Sequence, residues 1–163
     1  MAVISSTRAR RTGRSTDWKA GMLAGIIAAI ASAVVLTVGI LLRGESPWLP
    51  SHLLAATILG DDALPPSAHF DPGIVAVASL IYFALAIGYG LIGAWLFDRL
   101  RYRAAAVAGG VYGLSLYLVN YDLIAPVVFP WLTQLGGLVG IITHLVFGAA
   151  LALAVVRLRR RGY

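Results

Sequence analysis

Residues 74–97 read IVAVASLIYFALAIGYGLIGAWLF, and no charged side chain interrupts them. As a helix rising ~1.5 Å per residue, this stretch would be about 36 Å long. The hydrocarbon core of a bilayer is ~30 Å thick and takes about 20 helical residues to cross. Inside it every backbone N–H and C=O needs a partner within the protein, which a helix provides for itself. The stretch is therefore expected to be a transmembrane helix. Three further runs of the same character lie at roughly 20–42, 104–121 and 136–156. The expected fold is an all-α, four-helix transmembrane bundle over 18–156, its longest connection being the outer loop 43–73.

Composition agrees. The 163 residues are 60% hydrophobic and only 12% charged, against ~25% charged in typical soluble domains. A soluble fold would leave much of that apolar surface in water, and four spans leave no room for a second domain.

A net charge of +6 raises the question of a nucleic-acid partner, but its placement argues otherwise. Of the thirteen lysines and arginines, all but Arg43 fall on one side of the four runs. Arg8, Arg10, Arg11, Arg14 and Lys19 precede the first. Arg99, Arg101 and Arg103 join the second to the third, and Arg157, Arg159, Arg160 and Arg161 follow the fourth. Glu45, Asp61, Asp62, Asp71 and Asp122 lie opposite. By the positive-inside rule both termini are expected in the cytoplasm of a bacterial inner (cytoplasmic) membrane protein. Arg99, Arg101, Arg103, Arg157 and Arg159 are the residues expected at anionic lipid headgroups. Residues 1–17 and 157–163 read as basic cytoplasmic tails, the first of them disordered. No nucleic acid is expected as a partner.

The chain has no cysteine, which removes disulfides, thiolate nucleophiles and thiolate metal ligands. Ala31-Ser32-Ala33 looks like a signal-peptide cleavage site. The apolar run continues past it through Val34-Val35-Leu36 to Leu42, so a retained spanning helix is expected.

Between the first two runs, Ser46-Pro47-Trp48-Leu49-Pro50 marks an interfacial turn. Ser51 is expected to cap a short amphipathic helix over 52–59, closed by Gly60. Leu53, Leu54 and Ile58 would lie on the membrane or the bundle. Asp61-Asp62 and Leu64-Pro65-Pro66 then break the structure. Over 122–135, Pro126 and Pro130 speak against a regular helix. Trp18 and Trp95 fall at one membrane boundary, Trp48 and Trp131 at the other, as interfacial anchors do. His52, His69, Asp61, Asp62 and Asp71 are spaced in no metal-ligand pattern, and no metal is expected.

Small residues four apart let membrane helices approach closely. Gly21 and Gly25 supply such a stripe in the first run, Ala86, Gly90 and Ala94 in the second, and Ala105, Gly109 and Gly113 in the third. Gly136, Gly140 and Gly148 supply it in the fourth, with His144 between the last two. That register points the His144 ring into the bundle, and an ionisable group at membrane depth is a functional candidate. From Gly136 to His144 the helix advances about 12 Å, as does the second run from Ile74 to Tyr82. Tyr82 and His144 thus share a depth, with Ser115 within a turn, and a Tyr82–His144 hydrogen bond is one reading of a buried polar site. The other is a neutral histidine satisfied by a tyrosine or a backbone carbonyl. Haem or quinone at His144 is the only cofactor chemistry the sequence offers, and bis-histidine haem would need a second membrane-depth histidine. None is predicted. Tyr117 and Asn120, with Tyr121 and Asp122, read as an outer polar mouth, a candidate pocket or a helix cap.

Several short strings resemble a family of small four-helix bacterial inner-membrane proteins without an established activity. They are Trp18-Lys19-Ala20-Gly21, Ser46-Pro47-Trp48, Leu64-Pro65-Pro66, Phe70-Asp71, Leu116-Tyr117-Leu118-Val119-Asn120, Phe129-Pro130-Trp131, and His144 with Phe147-Gly148. The likeness runs from about 18 to 156. Some members carry a sodium:proline symporter label. Members often have a histidine near the place of Tyr82, so Ile81-Tyr82-Phe83 departs from any paired-histidine site. Secondary transporters usually build a midplane site from broken helices in repeated halves, and neither feature is evident here. The expected role is a non-catalytic accessory or structural subunit of a larger membrane complex, of respiratory or photosynthetic electron-transfer type. The alternative is a small homo-oligomeric transporter or channel using the His144 layer. An enzyme is the weakest reading, because no nucleophile or acid–base pair accompanies His144. Membrane lipids, other integral membrane subunits or further copies of the chain are the expected partners.

Overall fold

The computed structural model describes residues 17–64 and 68–160. The basic stretch 1–16, Pro65 and Pro66 of the loop break, and Arg161 lie outside the described residues. In chain order the helices are α1 (Trp18–Leu42), α2 (Leu49–Leu59), α3 (Pro72–Phe97), α4 (Tyr102–Tyr117), α5 (Ala125–Val128) and α6 (Gly137–Arg160). Among the described residues there is no strand. Four helical spans, Trp18–Leu42, Pro72–Phe97, Tyr102–Val128 and Gly137–Arg160, are long and apolar enough to cross a membrane. The chain is a multi-pass integral membrane protein with an all-α bundle.

Helix starts follow local chemistry. Asp17 caps α1 by accepting the Ala20 N–H at 3.0 Å. Asp71 caps α3 by accepting from Gly73 and Ile74 at 2.8 and 3.0 Å, with Pro72 in the first turn, where a missing N–H costs nothing. The third span departs from expectation. It runs past Tyr121 to Val128, because α4 passes into α5 through a π-helical turn, Leu118–Ile124. There the Ala125 N–H reaches back to the Asn120 carbonyl. Pro126, with no N–H, stands where the wide ladder ends. A proline tolerated by a local change of ladder kinks a helix instead of stopping it.

The helix α2 also differs from the amphipathic element expected. It starts at Leu49 with Trp48 as N-cap and Pro50 in its first turn, and ends as expected at Gly60 (φ 82°). Its sequence, LPSHLLAATIL, is apolar nearly all round and has no polar face to orient it. It buries His52, Leu53, Ala55 and Ala56 and leaves Ile58 69% exposed. Leu53 joins Ile40 and Leu135 in a cluster under the loops, and the Trp131 indole N–H donates to the Leu53 carbonyl at 3.0 Å. Trp131 is thus engaged in packing, and Trp48 lies against Phe70; Trp18 and Trp95 stay exposed.

In the bundle α6 packs along α1 and α4, and α3 packs along α1. The most hydropathic window of α6 is 44% buried, that of α3 only 17%, so α6 is the core helix and α3 the outlying one. The small-residue stripes make the close seams. A Cβ added at Gly21 would lie 2.7 Å from Ala94 Cβ and 2.9 Å from the Gly90 carbonyl. At Gly25 and Gly90 it would strike the carbonyls of Ala86 and Gly21. Between α4 and α6 a Cβ at Gly109, Gly113 or Gly148 would land on the carbonyls of Gly148, His144 and Gly109 respectively. Gly136 is the exception among the predicted packing glycines. It sits in the turn before α6, beside Gly137 (φ 71°), and its N–H reaches Thr133. Gly140 meets the Tyr117 ring and the Leu135 carbonyl instead of another helix backbone.

Candidate functional site

Two groups of polar side chains within the bundle hold the candidates Tyr82 and His144. In the first, the Tyr82 hydroxyl of α3 donates to the Ala29 carbonyl at 3.1 Å and shares a 2.8 Å hydrogen bond with Ser32 Oγ, both on α1. In the second, His144 Nδ1 lies 2.9 Å from the carbonyl of Gly140, one turn earlier on α6. A carbonyl can only accept, so Nδ1 carries the proton and Nε2 presents a lone pair. The His144 ring stands edge-on to Tyr117 and Tyr121, with centroids 5.8 and 5.4 Å away. Those two tyrosines stack on each other at 5.5 Å. Tyr117 also accepts the Gly137 N–H at 3.0 Å, satisfying an otherwise orphan donor at the start of α6.

The bond expected between Tyr82 and His144 is not made. Tyr82 turns to α1, and His144 turns to the α4 tyrosines and its own helix. Of the two bland partners the sequence offered, a backbone carbonyl takes Nδ1. Ser115 is exposed and donates to the Val111 carbonyl of its own helix at 3.0 Å, so it does not belong to the buried group. The outer pocket of Tyr117 and Asn120 is not a single feature either. Tyr117 faces α6, while Asn120 Oδ1 accepts from the Tyr89 hydroxyl of α3 at 3.1 Å.

That last bond belongs to a third group, which sequence reasoning missed. The Tyr112 hydroxyl of α4 donates to the Tyr89 carbonyl at 3.1 Å, and its ring meets Phe97 edge-on at 5.7 Å. Tyr89 in turn meets Phe147 of α6 edge-on at 6.3 Å. The signal was present, since Tyr89 lies two turns beyond Tyr82 on the same α3 face. Thr143 was also passed over. It is 6% exposed and its hydroxyl has no hydrogen-bond partner.

At the end of the bundle carrying the termini, Arg99, Arg101, Arg103 and Arg157 are exposed. Arg159 differs from the headgroup role expected of it. Its guanidinium donates to Asp98 at 3.1 Å, with side chains 15% and 17% exposed, and so ties the end of α6 to the turn between α3 and α4. At the loop end, both ring nitrogens of His52 face backbone carbonyls, Nδ1 that of Ala63 at 3.0 Å and Nε2 that of His69 at 2.9 Å. They are not open to a metal, and among the described residues no His, Asp or Glu group could hold one. His144 differs from His52 in that one of its ring nitrogens, Nδ1, is engaged by a backbone carbonyl and not both.

Comparison of the chain with protein-family models, with curated proteins and with solved structures finds no match.

Proposed function

We propose that this protein is a non-catalytic structural subunit, whose spanning helices brace a larger integral membrane assembly. The observation that carries the reading is the outward face of α3. Ala84 and Gly88 are exposed there, between Leu80 and Ile92, which are 74% and 50% exposed. A Cβ at Gly88 would meet nothing within 4 Å. The glycines of the inner seams each meet a neighbouring helix, whereas Gly88 serves no packing within the chain. A small residue on such a face fits the close approach of a helix from another subunit. The interior supports the same role: its seams are filled by backbone contact, and its polar side chains, Thr143 apart, are satisfied within the bundle, most of them by backbone groups.

An electron-transfer complex is the partner class this reading favours, in a bacterial inner membrane with both termini cytoplasmic. Native purification in mild detergent, with mass spectrometry of co-purifying proteins, tests it. Larger membrane subunits should accompany the wild type and be lost in Gly88→Leu, while helicity and thermal stability stay unchanged. A variant that keeps the same company, or a wild type purified alone, would sink the proposal. Because the chain lacks cysteine, orientation has a clean test. A membrane-impermeant maleimide added to intact cells should label Ser46→Cys and leave Arg103→Cys untouched.

A further inference from the structure

The contacts of His52 demand more protons than a neutral imidazole carries. Its ring is buried, 4% exposed, and each nitrogen is at hydrogen-bond distance from a backbone carbonyl. A carbonyl oxygen has no hydrogen to give, and a neutral imidazole has one N–H. Either neutral tautomer would leave a ring lone pair against a carbonyl lone pair at about 3 Å. Only the imidazolium makes both bonds.

We infer that His52 is a proton-operated latch: in its charged form it fastens the start and the end of the segment that joins α2 to α3, and on losing its proton it lets one end go.

The surroundings suit a cation. The titratable groups facing His52 are His69, whose ring centroid is 5.8 Å away, and Asp71, which feels the charge of both histidines. The Ile74 N–H first, and then the Gly73 N–H with His69 and His52, hold the Asp71 carboxyl below the usual carboxylate range against the opposing effect of its desolvation. Asp71 therefore remains a counter-charge throughout the range in which histidines titrate. Asp61 and Asp62, on the turn after α2, are exposed. The first turns of α3 carry no ionisable side chain, Trp131 presents only its indole, and Arg43 and Glu45 at the end of α1 pair with each other. The contacts to Ala63 and His69 use main-chain atoms, so the latch depends on the ring of His52 and not on that of His69.

The sign follows directly. The two-bond arrangement needs the proton, so it is complete at low pH and loosens as pH rises. Asp71 acts in the opposite sense, losing its caps only in acid, and the interval from about pH 5 to 8 isolates the histidine. Opening would free α2, whose Leu53 packs with Ile40, Leu135 and Tyr121 at the loop end, next to the tyrosines around His144.

Hydrogen–deuterium exchange of the full chain in nanodiscs, with rates corrected for intrinsic pH dependence, tests the latch. Amides over 60–64 and 68–71 should lose protection at least tenfold between pH 5 and 8, with no comparable change in α1 or α6. His52→Gln should show the open rate at every pH, and His69→Gln should keep the wild-type response. Nitrogen-15 NMR of histidine-labelled wild type supplies a readout that needs no mutant to fold. At pH 5.5 the His52 signals, identified by their loss in the variant or by contacts to Ala63, should show both ring nitrogens protonated. A neutral His52 at that pH, a flat exchange profile, or a response that disappears with His69→Gln would overturn the inference.

Discussion

Where α4 meets α6, Gly109, Gly113 and Gly148 leave one backbone lying against the other; where α4 meets α3, Tyr112 and Tyr89 stand between the helices and bond across. Along its glycines the first seam is held by shape. Its dispersion contacts are many and weak, and no side chain can rotate aside to admit a larger neighbour. The second is held by large rings and directional hydroxyls, whose loss leaves a void. Neighbouring faces of one helix thus fail under opposite mutations, enlargement on one side and truncation on the other.

The largest effect should come from Gly148→Leu or Gly113→Leu, since the new side chain meets a carbonyl that cannot move without shifting a helix. Overpacking of this kind costs about 3 kcal/mol or more, read as lost unfolding free energy in mixed micelles or failure to accumulate. A tolerant Gly148→Leu would mean that the seam is looser than described. On the aromatic side Tyr112→Ala should cost about 3 kcal/mol through the cavity it leaves, whereas enlarging nearby Gly110, whose Cβ would meet only Leu145 at 4.0 Å, should be nearly silent. Tyr89→Phe keeps the ring and removes one bond to Asn120, which in a membrane interior is worth about 0.6 kcal/mol. Equal losses from Tyr89→Phe and Tyr112→Ala would show that hydroxyls, not ring volume, hold that seam. One further change should have the opposite sign. Thr143→Val removes a buried hydroxyl without a partner and should be neutral or stabilising by about 1 kcal/mol.

How much of this was readable beforehand divides along the helix axis. Depth was legible, because span limits and a constant rise convert residue number into height. The small-residue steps of α1 meet those of α3, and Gly109 and Gly113 of α4 meet Gly148 of α6. Azimuth was not legible. Which way Tyr82 points depends on the rotation of α3 about its own axis, and that is fixed by which neighbour its small residues meet. The stripes of α3 and α1 pack together, so Tyr82 is carried to Ser32 and away from α6. The π turn was hidden for a related reason. Nothing in LVNYDLI marks a change of ladder, and Pro126 was a fair signal to end the helix. The third group, Tyr89 with Tyr112 and Asn120, needed the pairing of α3 with α4, which no spacing within either helix reveals. Arg159 is similar: its place in the basic cluster was plain, its bond to Asp98 was not.

The π turn at Leu118–Ile124 acts as a phase shifter. A π turn takes up more residues per revolution than an α turn, so the helix beyond it is rotated relative to the helix before it. Tyr117 and Tyr121, four apart, both address His144 on α6, while Asn120 between them addresses Tyr89 on α3. A single-residue deletion there would leave the span long enough for the bilayer yet turn everything beyond it by about 100°. Length and phase of this helix are thus set by separate parts of its sequence.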